Sequence, residues 1–371
     1  NELRNVTIEE ILEREAVNPK QTLLMPNIKN KIVLVTGAGG SIGSELCRQI
    51  IHIKPKKLIL LDKSEYNLYK INEEIESYIK IRNINVKIHP ILALIQDENR
   101  ISSILSAFKV DTIYHTAAYK HVPLLEQNVI EGIKNNVIGT NILSQLSIKL
   151  NIKNFILIST DKAVRPTNYM GASKRIAEMI CQSLSKEQVK TKFCIVRFGN
   201  VMGSSGSVIP LFKNQINNGG PITVTDKSME RFFMTITEAA QLVIQAGSMS
   251  QGGEIFVLDM GQRVNILELA KKMCYLHGLT PYIKNKKNQY NGDIEIKIIG
   301  LRPGEKIKEE LTKNNKLQKT NHPRILKAEE EITYNKHINK KILLIKNACQ
   351  KNDLRKINLF LNELDKDINL S

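Results

Sequence analysis

The chain has 371 residues, 42% hydrophobic and 25% charged, which excludes a chain disordered throughout and leaves room for two cores. Its 54 Lys and Arg against 37 Asp and Glu leave a net charge of +17, pointing to an anionic ligand, an anionic surface or a plainly solvated exterior. Nucleic acid is the least suited partner, with no Trp and 5% aromatics, and five Cys without a CxxC pair argue against a disulfide framework or a zinc site.

Residues 1 to 30 read as a short helix, Ile8 to Glu15, then a loop with Pro19 and Pro26. No signal peptide opens the chain at Asn1, and no apolar run reaches the roughly 18 residues of a membrane helix. The expected location is the cytoplasm, with any membrane tether supplied by a segment upstream of Asn1. Ile32-Val33-Leu34-Val35 is a buried-strand run, followed by a Gly-rich turn and a helix from Ser41 to Ile51. Leu58 to Leu61 is the next strand, ending at Asp62; a helix from Tyr66 to Ile81 and a strand around Val86 to Leu94 follow. Helix Glu98 to Phe108, strand Thr112 to His115, helix Val129 to Leu150 and strand Phe155 to Ile158 continue the alternation. Such spacing predicts an α/β fold built on a doubly wound parallel sheet with right-handed crossovers.

From about residue 205 the order loosens around Gly203 to Gly206, Gly219 to Pro221 and Leu301 to Gly304. The expected division is an N-terminal helix and linker (1–30) and a dinucleotide-binding domain (31–205, with 233–260 returning to it). A smaller C-terminal substrate lobe (206–232 and 261–335) and a helical tail (336–371) complete it. The seven His are scattered without metal-ligand spacing, so no metal site is expected.

Two segments carry chemistry. Gly37-Ala38-Gly39-Gly40-Ser41-Ile42-Gly43 follows a strand and opens a helix. Gly37 permits the tight turn, Gly40 lets backbone approach a pyrophosphate, and Gly43 lets helix and strand pack closely. Asp62, with Lys63 and Ser64 after it, ends the second strand, where a carboxylate accepts from ribose hydroxyls and repels a 2′-phosphate. NAD is therefore favoured over NADP. The second segment is Ser159-Thr160-Asp161-Lys162, at the end of the strand Phe155 to Ile158, ahead of a helix opened by Met170-Gly171-Ala172-Ser173-Lys174. Open α/β sheets place their ligands at such strand ends.

The glycine spacing, Asn135-Asn136 ahead of Gly139-Thr140, and the strand-end Ser-Thr before a helical lysine resemble the extended short-chain dehydrogenase/reductase family, over roughly residues 31 to 330. That resemblance implies a Rossmann domain and a catalytic Tyr four residues before the Lys. Here the Lys is Lys174 and the Tyr position is Met170, whose thioether moves no proton. Tyr169 is rotated by about 100° along the helix and is expected to pack elsewhere.

The strings 159–174 (STDKAVRPTNYMGASK), 197–212 (RFGNVMGSSGSVIPLF), 231–236 (RFFMTI) and 300–306 (GLRPGEK) resemble the nucleotide-sugar 4,6-dehydratases of bacterial glycan synthesis. Met at the Tyr position resembles the branch that retains configuration at C5 of UDP-N-acetylglucosamine. This implies NAD-dependent dehydration of that substrate to the UDP-4-keto-6-deoxy sugar by C4 oxidation, loss of water across C5 and C6, and hydride return to C6. Asp161 is then the acid for water loss, Lys162 the base at C5, Thr160 the partner of the 4-hydroxyl, and Lys174 the support of the nicotinamide ribose. Lys162 would need its pKa depressed, by burial or by Lys174 and Arg165. Ala117 and Ala118 join the cofactor site. Where the family has an Asp for the adenine amino group this chain has Leu94, leaving backbone around Ile95 or the Asp97 side chain. The UDP-sugar falls to Lys120, His121, Asn200, Val208, Arg231, Arg302 and Glu305, and a homo-oligomer is implied. A nucleotide-sugar 4-epimerase and a non-catalytic UDP-sugar or NAD-binding module are the alternatives.

Overall fold

The computed structural model describes residues 17–204, 206–284, 292–314, 316–330 and 336–370; the helix expected at Ile8 to Glu15 lies outside the described residues. Ile32–Thr36 (β1) is buried on both faces, as a strand between two helical layers must be. Parallel strands β2 (Lys57–Asp62), β3 (Lys87–Leu92), β4 (Thr112–His115), β5 (Asn154–Ile158) and β6 (Lys192–Arg197) follow, separated by helices that include Ser41–His52, Glu65–Arg82, Glu98–Phe108 and Tyr169–Glu187. The chain then forms β7 (Asn200–Met202), β8 (Ile222–Val224) and β9 (Glu230–Thr235), and β10 (Ile255–Leu258) follows the helix Ile236–Met249. Next come β11 (Arg263–Asn265), β12 (Pro281–Tyr282) and β13 (Ile294–Ile298), then β14 (Leu317–Lys319) and β15 (Ile325–Ala328).

The large sheet runs β14-β15-β10-β6-β5-β4-β1-β2-β3. The strand order reverses between β1 and β4, the switch point where open α/β sheets hold ligands at their carboxyl ends. Register sets Thr36 level with Leu61 and with His115, and His115 level with Leu157. The loops that leave these ends, 37–43, 62–64, 116–121 and 159–163, therefore begin side by side.

Two units divide the chain: a larger one of residues 18–198, 239–259 and 310–371, and a smaller one that includes 199–238 and 260–309. Residues 310–335, expected in the substrate lobe, thus join the larger unit. There β15 pairs antiparallel with β10 and buries Ile325 and Ala328, and β14 adds the edge. In the smaller unit the sheets β11-β9-β7 and β12-β13-β8 enclose Met202, Phe212, Ile222, Phe233, Leu269, Met273 and Ile296.

The stretch expected as one helix, Val129 to Leu150, is instead α-helical at Val129–Ile133 and Thr140–Lys149 with a π-helical segment, Lys134–Gly139, between them. Buried Asn135 and Asn136 occupy the widened turns, a device concentrated at functional sites. Among the described residues no helix is long and apolar enough to cross a membrane.

Candidate active site

In the larger unit the glycine turn is closely packed against neighbouring backbone. Gly37 has φ +67°, and a Cβ there would lie 2.8 Å from Ala117 backbone; one on Gly43 would lie 2.0 Å from the Gly37 carbonyl oxygen. Gly40, the N-cap of helix Ser41–His52, brings no side-chain acceptor to a first turn that includes Ser41 and Ile42. Asp62 is buried and accepts from Gly39 N–H (2.9 Å, Oδ2) and Ser64 N–H (2.9 Å, Oδ1). Two of about four acceptor positions remain on a carboxylate so held. Ser64 also caps helix Glu65–Arg82. Lys63 lies over the Tyr119 ring at 3.5 Å and donates to its hydroxyl, so Tyr119 holds the ammonium. After β3, Leu94 is 49% exposed and Ile95 is buried, its Cδ1 where a Cβ on Gly139 would intrude at 2.7 Å. Asp97 is the N-cap of helix Glu98–Phe108, accepting from Arg100 N–H at 2.9 Å, which commits one carboxylate oxygen to the fold.

Sequence reading missed the polar core beneath this turn. His115 is buried, with Thr36 Oγ1 2.7 Å from Nδ1 and Thr140 Oγ1 2.9 Å from Nε2. Thr140 donates its hydroxyl to the Asn136 carbonyl (2.7 Å), so toward the ring it accepts; Nε2 carries the proton and Nδ1 accepts from Thr36. Burial, helped by the Lys174 charge, pushes the His115 pKa down to about 3. The unfolded chain takes up this proton near pH 6.5 and the folded protein only near 3. Stability present above pH 6.5 is therefore lost as pH falls through this window, by up to roughly 5 kcal/mol. His115→Gln is expected to flatten that acid slope; an unchanged slope in urea unfolding at a series of pH values overturns the assignment. Asn136 is satisfied on both sides: it accepts from Tyr119 N–H (2.8 Å) and donates to the Tyr119 carbonyl and to Ser173 Oγ, both at 2.9 Å. This fixes the loop of Ala117, Ala118 and Lys120 against helix Tyr169–Glu187.

After β5, Asp161 has no solvent exposure. Its Oδ1 accepts from Thr160 Oγ1 at 2.9 Å and from Lys162 Nζ at 3.0 Å, while its buried Oδ2 has no hydrogen-bond partner among the described residues. The segment is seated by Asp161 N–H on the Phe198 carbonyl (3.1 Å) and by helix Tyr169–Glu187, whose start lies so close that a Cβ on Gly171 would be 2.2 Å from the Lys162 carbonyl oxygen. Lys174 donates to the Ile158 carbonyl, and burial pushes its pKa down to about 8 against the opposing pull of Glu178. Met170 is buried, and Tyr169 packs against the main core with its N–H on Glu126 (2.9 Å). Arg165 is spent on Glu310 at 2.6 Å, so its charge is compensated there. Lys120 and His121 lie at the surface of this unit, each with its pKa lowered by local desolvation.

The other substrate candidates lie in the smaller unit. Asn200 opens β7, and Val208 opens the helix Val208–Asn217. Arg231 is buried and donates to the carbonyls of Glu230 (2.8 Å), Ile307 (2.9 Å) and Lys306 (2.7 Å). Those donors hold the loop 305–307, a use that residue type alone does not reveal. Glu305 sits 3.6 Å from Arg231 and accepts from Arg302 N–H at 3.1 Å. The Arg302 side chain is exposed. Arg263 stacks over Phe232 at 4.6 Å and donates to the Glu309 carbonyl at 3.0 Å. Among the described residues no cluster of His, Cys, Asp and Glu could hold a metal ion.

Residues 33–330 match the family described as polysaccharide biosynthesis protein. The chain is 49% identical over 317 residues to the capsular polysaccharide biosynthesis protein CapD of Staphylococcus aureus, an alignment covering 85% of this chain and 51% of that one. It thus spans about half the length of that relative. It is also 34% identical over 336 residues to a UDP-glucose 4-epimerase of Rickettsia bellii, covering 88% of this chain and 92% of the other. Among solved structures, Pen from Bacillus thuringiensis superposes with a TM-score of 0.71 at 34% identity, over 83% of this chain and 92% of that one.

Proposed function

The chain belongs to the polysaccharide biosynthesis protein family, and on that premise we propose that it dehydrates UDP-N-acetylglucosamine to the UDP-4-keto-6-deoxy sugar with configuration at C5 retained. The observation that carries this reading is the buried Asp161 carboxylate, bonded through one oxygen to both Thr160 and Lys162 while the other has no donor among the described residues. A buried acceptor without a partner is costly, and a substrate hydroxyl supplies what it lacks.

The backbone close approaches at Gly37 and Gly43 and the Asp62 carboxylate fit a dinucleotide with free ribose hydroxyls. Gly40, Ser41 and Ile42 would hold the pyrophosphate of NAD, Asp62 with the Lys63 and Ser64 backbone the adenosine ribose, and Ala117, Ala118 and Lys174 the nicotinamide end. Bound there, NAD supplies the oxidation at C4 and the later reduction at C6.

The remaining steps belong to side chains. One proton moving along the 3.0 Å contact turns the Lys162–Asp161 ion pair into an amine beside a carboxylic acid, the two forms elimination needs. The amine takes the C5 proton while the acid protonates the departing 6-hydroxyl, so water leaves and the ion pair returns. Lys162 then gives its proton back to C5 from the face it came from, which retains configuration. The proton released by the 4-hydroxyl leaves past Thr160 to solvent, and one proton taken back by Lys162, left as an amine once C5 is reprotonated, restores the ion pair and balances the proton carried off in water.

Incubating the protein with NAD and UDP-N-acetylglucosamine in deuterated water tests this. The expected product has lost one water by mass and carries deuterium at C5 by proton NMR. Epimerisation at C4 without loss of water, or bound but unaltered substrate, overturns the reading. NAD is expected to bind more tightly than NADP by about 1–3 kcal/mol, the scale of an uncompensated buried polar contact at Asp62; equal affinities by calorimetry would remove Asp62 from the ribose.

A further inference from the structure

Next to the Thr160–Asp161–Lys162 segment lies a second charged cluster that this chemistry leaves unused. Arg197, at the end of β6, has no solvent exposure, yet all five of its N–H donors have acceptors. Nε and Nη2 bond the two oxygens of Glu178, each at 2.7 Å, and Nη1 and Nη2 bond those of Glu330 at 2.6 and 3.0 Å. Nη1 also reaches the Leu311 carbonyl at 3.4 Å. Glu178 accepts in addition from Ser159 Oγ at 2.6 Å and Arg175 Nη1 at 3.2 Å, and Arg175 Nε continues to Asp365 Oδ2 at 2.7 Å. With Lys313 at 3.4 Å from Asp365 and paired also with Asp367, three cations face four carboxylates. Burial alone would raise the Glu178 pKa, but Arg197 and Arg175 hold it below the ordinary value, so its charge persists.

A buried ionic cluster is weak evidence for stability; bidentate pairs supply fixed geometry. The geometry here converges on the chemistry. Ser159 immediately precedes Thr160. One helix grips the strand end twice, with Lys174 on the Ile158 carbonyl and Glu178, one turn on, holding the Ser159 hydroxyl. Beyond the segment, Asn369 N–H bonds the Pro166 carbonyl at 3.0 Å, so the C-terminal tail also holds the loop that follows.

We propose that Ser159 and Glu178 are positioning residues, and that through Arg197, Arg175, Glu330 and Asp365 the C-terminal tail sets the seat of the Thr160–Asp161–Lys162 segment. The inference rests on reading that segment as the acid–base pair. Ser159→Ala removes one hydroxyl and no charge, and Asp365→Asn probes the far end. The NAD-loaded variants are compared in steady-state kinetics with UDP-N-acetylglucosamine and in amide hydrogen exchange followed by mass spectrometry. Expected are a kcat roughly 10-fold lower with KM nearly unchanged, and exchange across residues 159–168 roughly 10-fold faster with β1 and β2 unaffected. Ser159→Thr, which restores a hydroxyl, is expected to recover most of the kcat.

Wild-type kcat, or unaltered exchange at 159–168, overturns the proposal. So does a fall in kcat matched by loss of bound NAD or by faster exchange everywhere, the mark of a merely structural cluster. If the wild-type protein removes no water from the sugar nucleotide, the dehydratase reading fails, and the exchange result alone decides for or against the network.

Discussion

Lys162→Ala is expected to cut formation of the 4-keto-6-deoxy sugar by roughly 10²–10⁴, the range one general base supplies, while NAD stays bound. Neither Lys174 nor Arg165 replaces it. Lys174 is buried and donates to the Ile158 carbonyl, and Arg165 is paired with Glu310. Lys162→Arg is expected to fail equally, because a guanidinium gives up no proton near neutral pH. Met170→Ala is expected to cost only packing, and Tyr169→Phe to leave the rate intact, since that ring packs against the main core. Product formation by mass spectrometry is the measurement. A collapse in Tyr169→Phe beside an active Lys162→Ala would move the base to Tyr169.

Asp161→Asn is expected to slow elimination by roughly 10²–10⁴ while UDP-N-acetylglucosamine still binds. The amide can keep an oxygen toward Thr160 and Lys162, so the segment retains its seat. What it loses is the proton for the departing hydroxyl, and with it the partner that lets Lys162 become an amine by internal transfer. Single-turnover water loss and binding calorimetry separate the two effects. Near-normal turnover would assign the acid to another group.

The parallel sheet, the glycine turn, Asp62 and the Thr160–Asp161–Lys162 segment were legible because each is a local pattern: a strand run, a turn, a strand end. What escaped reading depends on partners that meet only through sheet register. Thr36 and His115 are 79 positions apart and His115 and Thr140 are 25 apart, and nothing local marks them as one network. Glu178 and Arg175 sit in a helix buried from Met170 to Leu184, where charged residues in so apolar a setting were the available signal. The hairpin of β14 and β15 escaped for another reason: strands of three and four residues carry too few positions to show a period. The Lys134–Gly139 segment read as ordinary helix because apolar spacing continues through it. Arg231 shows the limit of reasoning from residue type, since a guanidinium suited to phosphate is here also a clamp on its own loop.

Gly171 has a consequence for how such a protein changes over generations. With 2.2 Å between its missing Cβ and the Lys162 carbonyl oxygen, position 171 admits no side chain, and the helix cannot slide to offer Tyr169 in place of Met170. The route to a tyrosine at the Met170 position is therefore the exchange of residue 170 where it stands. An insertion or deletion that shifts the helix by one position would instead put a Cβ into the Lys162 carbonyl.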